Sequence, residues 1–160
     1  MKYLTKHEIK WAFIFIIIAL LWMVFEKLMG WHAENIASHY YMTNIFAFFA
    51  IAVYVFALLE KRKKHYQGVM TWKEGFLSGL MMTLIITLLS PLSQLITHYV
   101  ISPEFFPNVI KYSVETGYHK SIKEAEAYFN FNSYLLQSIV GALVMGVVTS
   151  AIVAIFVRKK

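Results

Sequence analysis

The chain has 160 residues, of which 59% are hydrophobic and 17% aromatic against 15% charged, and its mean hydropathy is +0.57. Soluble domains average about 25% charged residues, so this chain has too few charges to cover a water-facing surface and reads as a membrane protein. A formal charge of +6 with a pI near 9.4 would raise nucleic acid as a partner for a soluble protein, so the placement of the charges has to decide.

A bilayer core about 30 Å thick needs about 20 mostly apolar helical residues, because each residue rises 1.5 Å and every backbone group must be paired internally. Four segments meet that demand, at about 9–30, 42–59, 75–99 and 133–157. The first contains the uncharged stretch Trp11 to Phe25, with Lys10 and Lys27 reaching toward the two headgroup layers and Trp11 and Trp31 marking the interfaces. A secretory signal peptide is the competing reading of this segment. It is disfavoured, since Trp22, Glu26 and Trp31 follow where small residues are expected and no A-x-A sequence comes before the next span. The second segment, MTNIFAFFAIAVYVFALL, is expected to stop at Glu60-Lys61-Arg62-Lys63-Lys64, a run read as an orientation signal rather than a lipid-specific site. The third is entered from Trp72 and carries Pro91, which removes a backbone donor and predicts a structural kink, with neighbouring hydroxyls available to the freed carbonyl. The fourth lies within the uncharged run Ala127 to Val157 and ends at Arg158-Lys159-Lys160.

Between the third and fourth spans, a loop over about 101–130 is long enough for a small cap. Ser102-Pro103-Glu104 has a helix-start signature, Pro107 restarts a helix ending near Gly117, and Ser121 with Glu124 forms a capping box for a second helix. Phe105, Phe106, Val109 and Ile110, and then Ile122, Ala125 and Phe129, recur at helical spacing, which predicts two short amphipathic helices. The fold class is therefore all-α: one polytopic domain of four transmembrane helices with these short helices in the third loop.

Orientation follows from counting basic residues near helix ends. The amino terminus, second loop and carboxyl tail together hold eleven Lys and Arg, and the first and third loops hold four. Both termini are therefore expected in the cytoplasm. With the Glu residues included, the terminal side carries +8 and the opposite side −2, so the basic balance is a vector across the bilayer and nucleic acid is not expected as a partner.

Cysteine and aspartate are both absent, which removes disulfides, thiolate chemistry and most Asp-based nucleotide or Mg²⁺ schemes. No Walker loop, G-x-G-x-x-G, H-E-x-x-H or G-x-S-x-G occurs, so neither catalysis nor a cofactor is expected. Ser138, Ala142, Gly146, Ser150 and Ala154 recur every fourth residue, and Gly75 and Gly79 begin a similar stripe on the third helix. Such stripes let helices approach closely in lipid, either within the chain or between copies. Charge at membrane depth costs about 3 kcal/mol or more on insertion scales, which singles out Glu26. It either lies at the water interface or turns inward to bind a cation or polar group. Glu26, Ser90, Gln94 and His98 are candidates for a polar pocket near the outer ends of the first and third spans. His32, His39, His98 and His119, with Glu34, are suitable ligand types, but their spacing matches no known metal site and none is expected.

The segments TWKEGFLSGLMMTLI (Thr71 to Ile85), ISPEFFPNVI (Ile101 to Ile110), AEAYF (Ala125 to Phe129) and GVVTSAIVAIFVRKK (Gly146 to Lys160), with the acidic Glu26 late in the first helix, resemble a bacterial membrane family, domain of unknown function 4199. The resemblance implies a small four-helix inner-membrane protein and brings no catalytic or ligand residues with it. The function expected from the sequence is a non-enzymatic helix-bundle module acting by association with itself or another membrane protein. The alternative is a small transporter, channel or sensor built on the polar pocket.

Overall fold

The computed structural model describes residues 4–159. Among these the secondary structure is helical: α1 (Lys6–Leu28), α2 (Ile36–Met42), α3 (Phe46–His65), α4 (Trp72–Ile96), α5 (Phe105–Glu115), α6 (Ile122–Tyr128) and α7 (Phe131–Val157). A 3-10 turn at Thr43–Ile45 joins α2 to α3, and a π turn at Thr97–Ile101 extends α4. Four stretches are long and apolar enough to cross a membrane, namely Lys6–Leu28, Ile36–His65, Trp72–Ile101 and Ile122–Val157.

Helix ends are fixed by local chemistry. Thr5 and Glu8 form a capping box on α1, Thr71 and Glu74 form one on α4, and the Asn130 side chain accepts the Ser133 N–H at the start of α7. α1 stops where Gly30 adopts φ +74°, and a Cβ there would strike the Glu34 carboxylate. Pro91 does not end α4. The Thr87 carbonyl, which its missing N–H would have bonded, accepts the Ser90 hydroxyl at 2.9 Å, the compensation expected from the sequence.

The most extensive helix contact is α4 against α7, and α1 packs on α4 and α3. Both small-residue stripes lie in the α4–α7 seam. Gly75 faces Ala154, Gly79 faces Ser150, and Gly146 faces Thr83, while Ala142 packs on the edge of the core. Ser138 donates to the Leu135 carbonyl of its own helix. Thr83 is fully buried and donates to the Gly79 carbonyl at 3.0 Å, and its oxygen lies 2.8 Å from the Tyr54 hydroxyl and 3.4 Å from Ser150 Oγ. The buried core of Ala12, Tyr54, Ala57, Leu58, Met70, Met82, Ile86, Val153, Ala154 and Val157 occupies the half of the molecule that holds both described chain ends. Large apolar side chains such as Phe13, Ile17, Phe48, Phe56, Leu88, Met145 and Phe156 point outward from the long helices, as a lipid-facing surface requires.

Three expectations are corrected. The second long helix does not stop at the basic run: α3 begins at Phe46 and continues to His65, because Lys61 turns inward onto Glu8 at 2.8 Å and Arg62 donates to the Val157 carbonyl at 2.6 Å. Ser102 does not cap α5, whose N-cap is Glu104, because its hydroxyl is engaged by His32 and Glu104. The Ser121 capping box is half formed: Ser121 accepts the Glu124 N–H, but the Glu124 carboxylate takes the N–H of Lys120.

Candidate functional site

The half of the molecule away from the chain ends is built differently from the core half. A cavity of about 200 Å³ lies there among α1, the π turn, α5 and the start of α7, with His32, His39, Gln94, His98, Ser102 and Phe105 in its wall. Glu26 stands behind two of these histidines. Its carboxylate is completely buried, which for an acidic group near the end of a membrane-type helix demands strong pairing.

That pairing comes from three sides. The Trp22 indole N–H, one turn earlier on α1, donates to Glu26 Oε1. After the chain reverses at Gly30, His32 places Nε2 at 3.0 Å from Oε2. From α2, His39 brings Nδ1 to 3.3 Å of the same oxygen, yet that nitrogen makes no hydrogen bond among the described residues. The far side of the His32 ring is held by Ser102, with Nδ1 to Oγ at 2.9 Å, and Asn108 of α5 donates to the His32 carbonyl at 2.9 Å. Phe105 leans on both imidazoles, with ring centroids 5.2 and 4.9 Å away. His98, in the π turn, packs against Tyr99, Phe106 and Phe131, and its Nδ1 is a second buried nitrogen that makes no hydrogen bond among the described residues.

The rim is ionic. Lys27 donates to the Ile101 carbonyl and lies 3.5 Å from Glu104, tying the end of α1 to the entry of α5. Burial pushes the Glu104 carboxyl up, but the N–H of its own residue, the Lys27 ammonium and the Ser102 hydroxyl outweigh that effect and hold it below its ordinary value.

Of the four residues that the sequence suggested for a pocket, Gln94 and His98 line the cavity, Glu26 backs it through His32 and His39, and Ser90 is occupied with the Thr87 carbonyl. The two histidines meet Glu26 and not Glu34, which is exposed. Trp22, Ser102, Asn108 and the π turn were not read from the sequence as parts of the pocket. Only the Trp22 contact has a local signal, four residues before Glu26 on one helix face.

A second buried polar cluster lies at the opposite end. Glu8, 1% exposed, pairs with Lys61, 2% exposed, and accepts the Ser78 hydroxyl at 2.5 Å, while Lys61 also donates to Thr5 at 3.1 Å. His7 Nε2 donates to the Ala57 carbonyl at 2.9 Å. Charges and donors are matched here, so the cluster is a clamp joining α1, α3 and α4.

The fold and the pocket together define a helical membrane-type protein with a closed polar clamp at one end and an imidazole-lined cavity over a buried carboxylate at the other. The family model described as protein of unknown function (DUF4199) matches residues 10–159, and the chain belongs to that family. Neither a curated protein nor a solved structure matches the chain.

Proposed function

We propose that the protein is a non-enzymatic binding module of the bacterial inner membrane, with both termini in the cytoplasm and a pocket open to the outer side that takes a small polar or cationic ligand. The observation that carries this reading is the buried Glu26 carboxylate at the back of the His32, His39, Gln94 and His98 cavity. A carboxylate at that depth is costly to keep unless something positive or hydrogen-donating meets it. Two imidazole nitrogens in the same region, His39 Nδ1 and His98 Nδ1, make no hydrogen bond among the described residues.

The orientation rests on the basic residues gathered at the end where the chain begins and finishes, which favours retention of that end in the cytoplasm. The lipid bilayer is the surrounding partner of the outward apolar side chains. Self-association draws no support from the small-residue stripes, because both are occupied within one chain. Neither do the basic residues support nucleic-acid binding, with Lys61 and Arg62 engaged by Glu8 and Val157.

The absence of cysteine makes the test direct. A single cysteine at Thr97, in the cavity wall, is expected to react with a membrane-impermeant thiol reagent added to intact cells. A cysteine at Lys63 is expected to react only after the cells are opened. Thr97→Cys labelling that also needs opened cells would overturn the outward-facing pocket.

A further inference from the structure

Given that the cavity is a ligand site, the valences of the atoms around Glu26 indicate what class of ligand it takes. Oε1 is engaged by the Trp22 indole, which leaves Oε2 as the atom facing both imidazoles. The Ser102 hydroxyl has one proton, and Glu104 Oε1 lies 3.3 Å away to accept it. Ser102 Oγ is then an acceptor for His32 Nδ1–H at 2.9 Å. A neutral His32 so oriented turns the bare lone pair of Nε2 toward a carboxylate oxygen 3.0 Å away. His39 Nδ1, 3.3 Å from Oε2 and without a hydrogen bond of good geometry among the described residues, is a third candidate donor atom on the same point. A carboxylate oxygen and two imidazole nitrogens converging on one buried point are held together by a cation among them, either a proton shared with Oε2 or, with both nitrogens bare, a metal ion.

The spacing suits one. Glu26, His32 and His39 have donor atoms within 4.8 Å of one another, with two of the separations at 3.0 and 3.3 Å. Ligands held at about 2.0–2.1 Å from a tetrahedral ion lie roughly 3.3–3.4 Å apart. Two imidazoles and one carboxylate are donors for a borderline divalent ion, whereas calcium and magnesium call for about six oxygen ligands. Two of the three are also steadied from behind, Glu26 by Trp22 and His32 by Ser102, the outer support that metal ligands typically have. We propose that Glu26 Oε2, His32 Nε2 and His39 Nδ1 form a binding site for a divalent transition-metal ion of the zinc class. The cavity beyond the two imidazoles leaves a fourth position for water or an anion.

The test is zinc binding to the purified full chain in mild detergent, with magnesium as the control ion. One equivalent of zinc retained after dialysis against metal-free buffer, together with zinc-dependent thermal stabilisation, is the expected result. Glu26→Gln keeps an acceptor for Trp22 and His39→Gln removes a half-buried ring, so both variants are suited to folding. Each is expected to lose at least 100-fold in zinc affinity. Ser102→Ala, which removes the support behind His32 together with a hydrogen bond to Glu104 and touches no proposed ligand atom, is expected to lose about 10–100-fold. Cobalt(II) is expected to give the intense visible absorption of a four-coordinate ion in the parent chain and not in Glu26→Gln. Zinc retained equally by the parent and by a His32→Ala, His39→Ala double variant would overturn the site, as would stabilisation by magnesium to the same extent. If Thr97→Cys is labelled from outside and zinc does not bind, the metal assignment falls and the pocket stands. Zinc bound with Thr97→Cys unlabelled from outside supports the metal assignment and overturns the outward opening.

Discussion

Two glycines of α7 offer a controlled measurement of what the α4–α7 seam contributes. A Cβ at Gly146 would lie 2.7 Å from Thr83 Oγ1, 3.0 Å from Thr83 Cβ and closer still to Cγ2. At Gly141 a Cβ meets nothing within 4 Å. Replacing either by alanine brings the same backbone gain, up to about 1 kcal/mol in a helix interior, so the difference between the two variants isolates the steric term. Thr83 is β-branched, fully buried and hydrogen-bonded to Gly79, so it has no free rotamer to retreat into. Overpacking of this kind costs about 1–3 kcal/mol, and Gly146→Ala is expected to be less stable than Gly141→Ala by that amount. Reversible unfolding in mixed micelles, titrated with SDS and followed by tryptophan fluorescence, gives both values against the parent. The double variant Gly146→Ala, Thr83→Ala is expected to be more stable than the sum of its singles by at least about 0.5 kcal/mol, because the two side chains share one space. Equal stability of the two glycine variants would refute the close seam.

Three further outcomes follow from the same structure. Glu8→Gln or Lys61→Met alone is expected to cost about 3–5 kcal/mol, because each leaves an uncompensated buried charge; the double variant should cost less than either, and additivity in that cycle would show that the pair is solvated. Ser90→Ala should cost about 1 kcal/mol through the Thr87 carbonyl, and close to nothing in a Pro91→Ala background where a backbone N–H returns; the same loss in both backgrounds would sink the explanation. Glu104 has its carboxyl held below the ordinary value, so its contribution to docking α5 on Lys27 is full above the unfolded carboxylate range of about 4.3–4.5. That contribution is lost as pH falls through the depressed folded value. A Ser113→Cys probe under α5 should therefore become accessible to an acid-active, thiol-reactive disulfide dye only at low pH in the parent but already at neutrality in Glu104→Gln, and the same accessibility in both at every pH would remove the rim from the account.

The spans were readable because apolar length is enforced by the bilayer residue by residue, and the four long helices cover the segments the hydropathy marks. The Ser121 half of its capping box and the hydroxyl beside Pro91 are local chemistry and were legible in the sequence, whereas the Asn130 cap of α7 was not singled out. Lys61 was not. A cation in a basic run reads as solvated until a carboxylate 53 positions earlier in the chain is placed beside it, and only packing of α1 on α3 does that. The pocket divides along the same line. Glu26 was conspicuous as an isolated charge, but its imidazole partners depend on the reversal at Gly30 and on how α2 folds back. Glu34 lies closer in sequence to both histidines and is the wrong acid.

The hydroxyls of Tyr54, Thr83 and Ser150 bear on how the helices find their rotational settings. α1, α3 and α7 are apolar nearly all round, so lipid and protein neighbours solvate their faces almost equally well. Turning α3 by one residue, about 100°, would present another apolar face, but it would swing the Tyr54 hydroxyl away from Thr83 and Lys61 away from Glu8. The three hydroxyls therefore act as an azimuthal key for α3, α4 and α7: hydrophobicity decides that the helices cross the bilayer, and a few oxygen atoms help decide which way these three face.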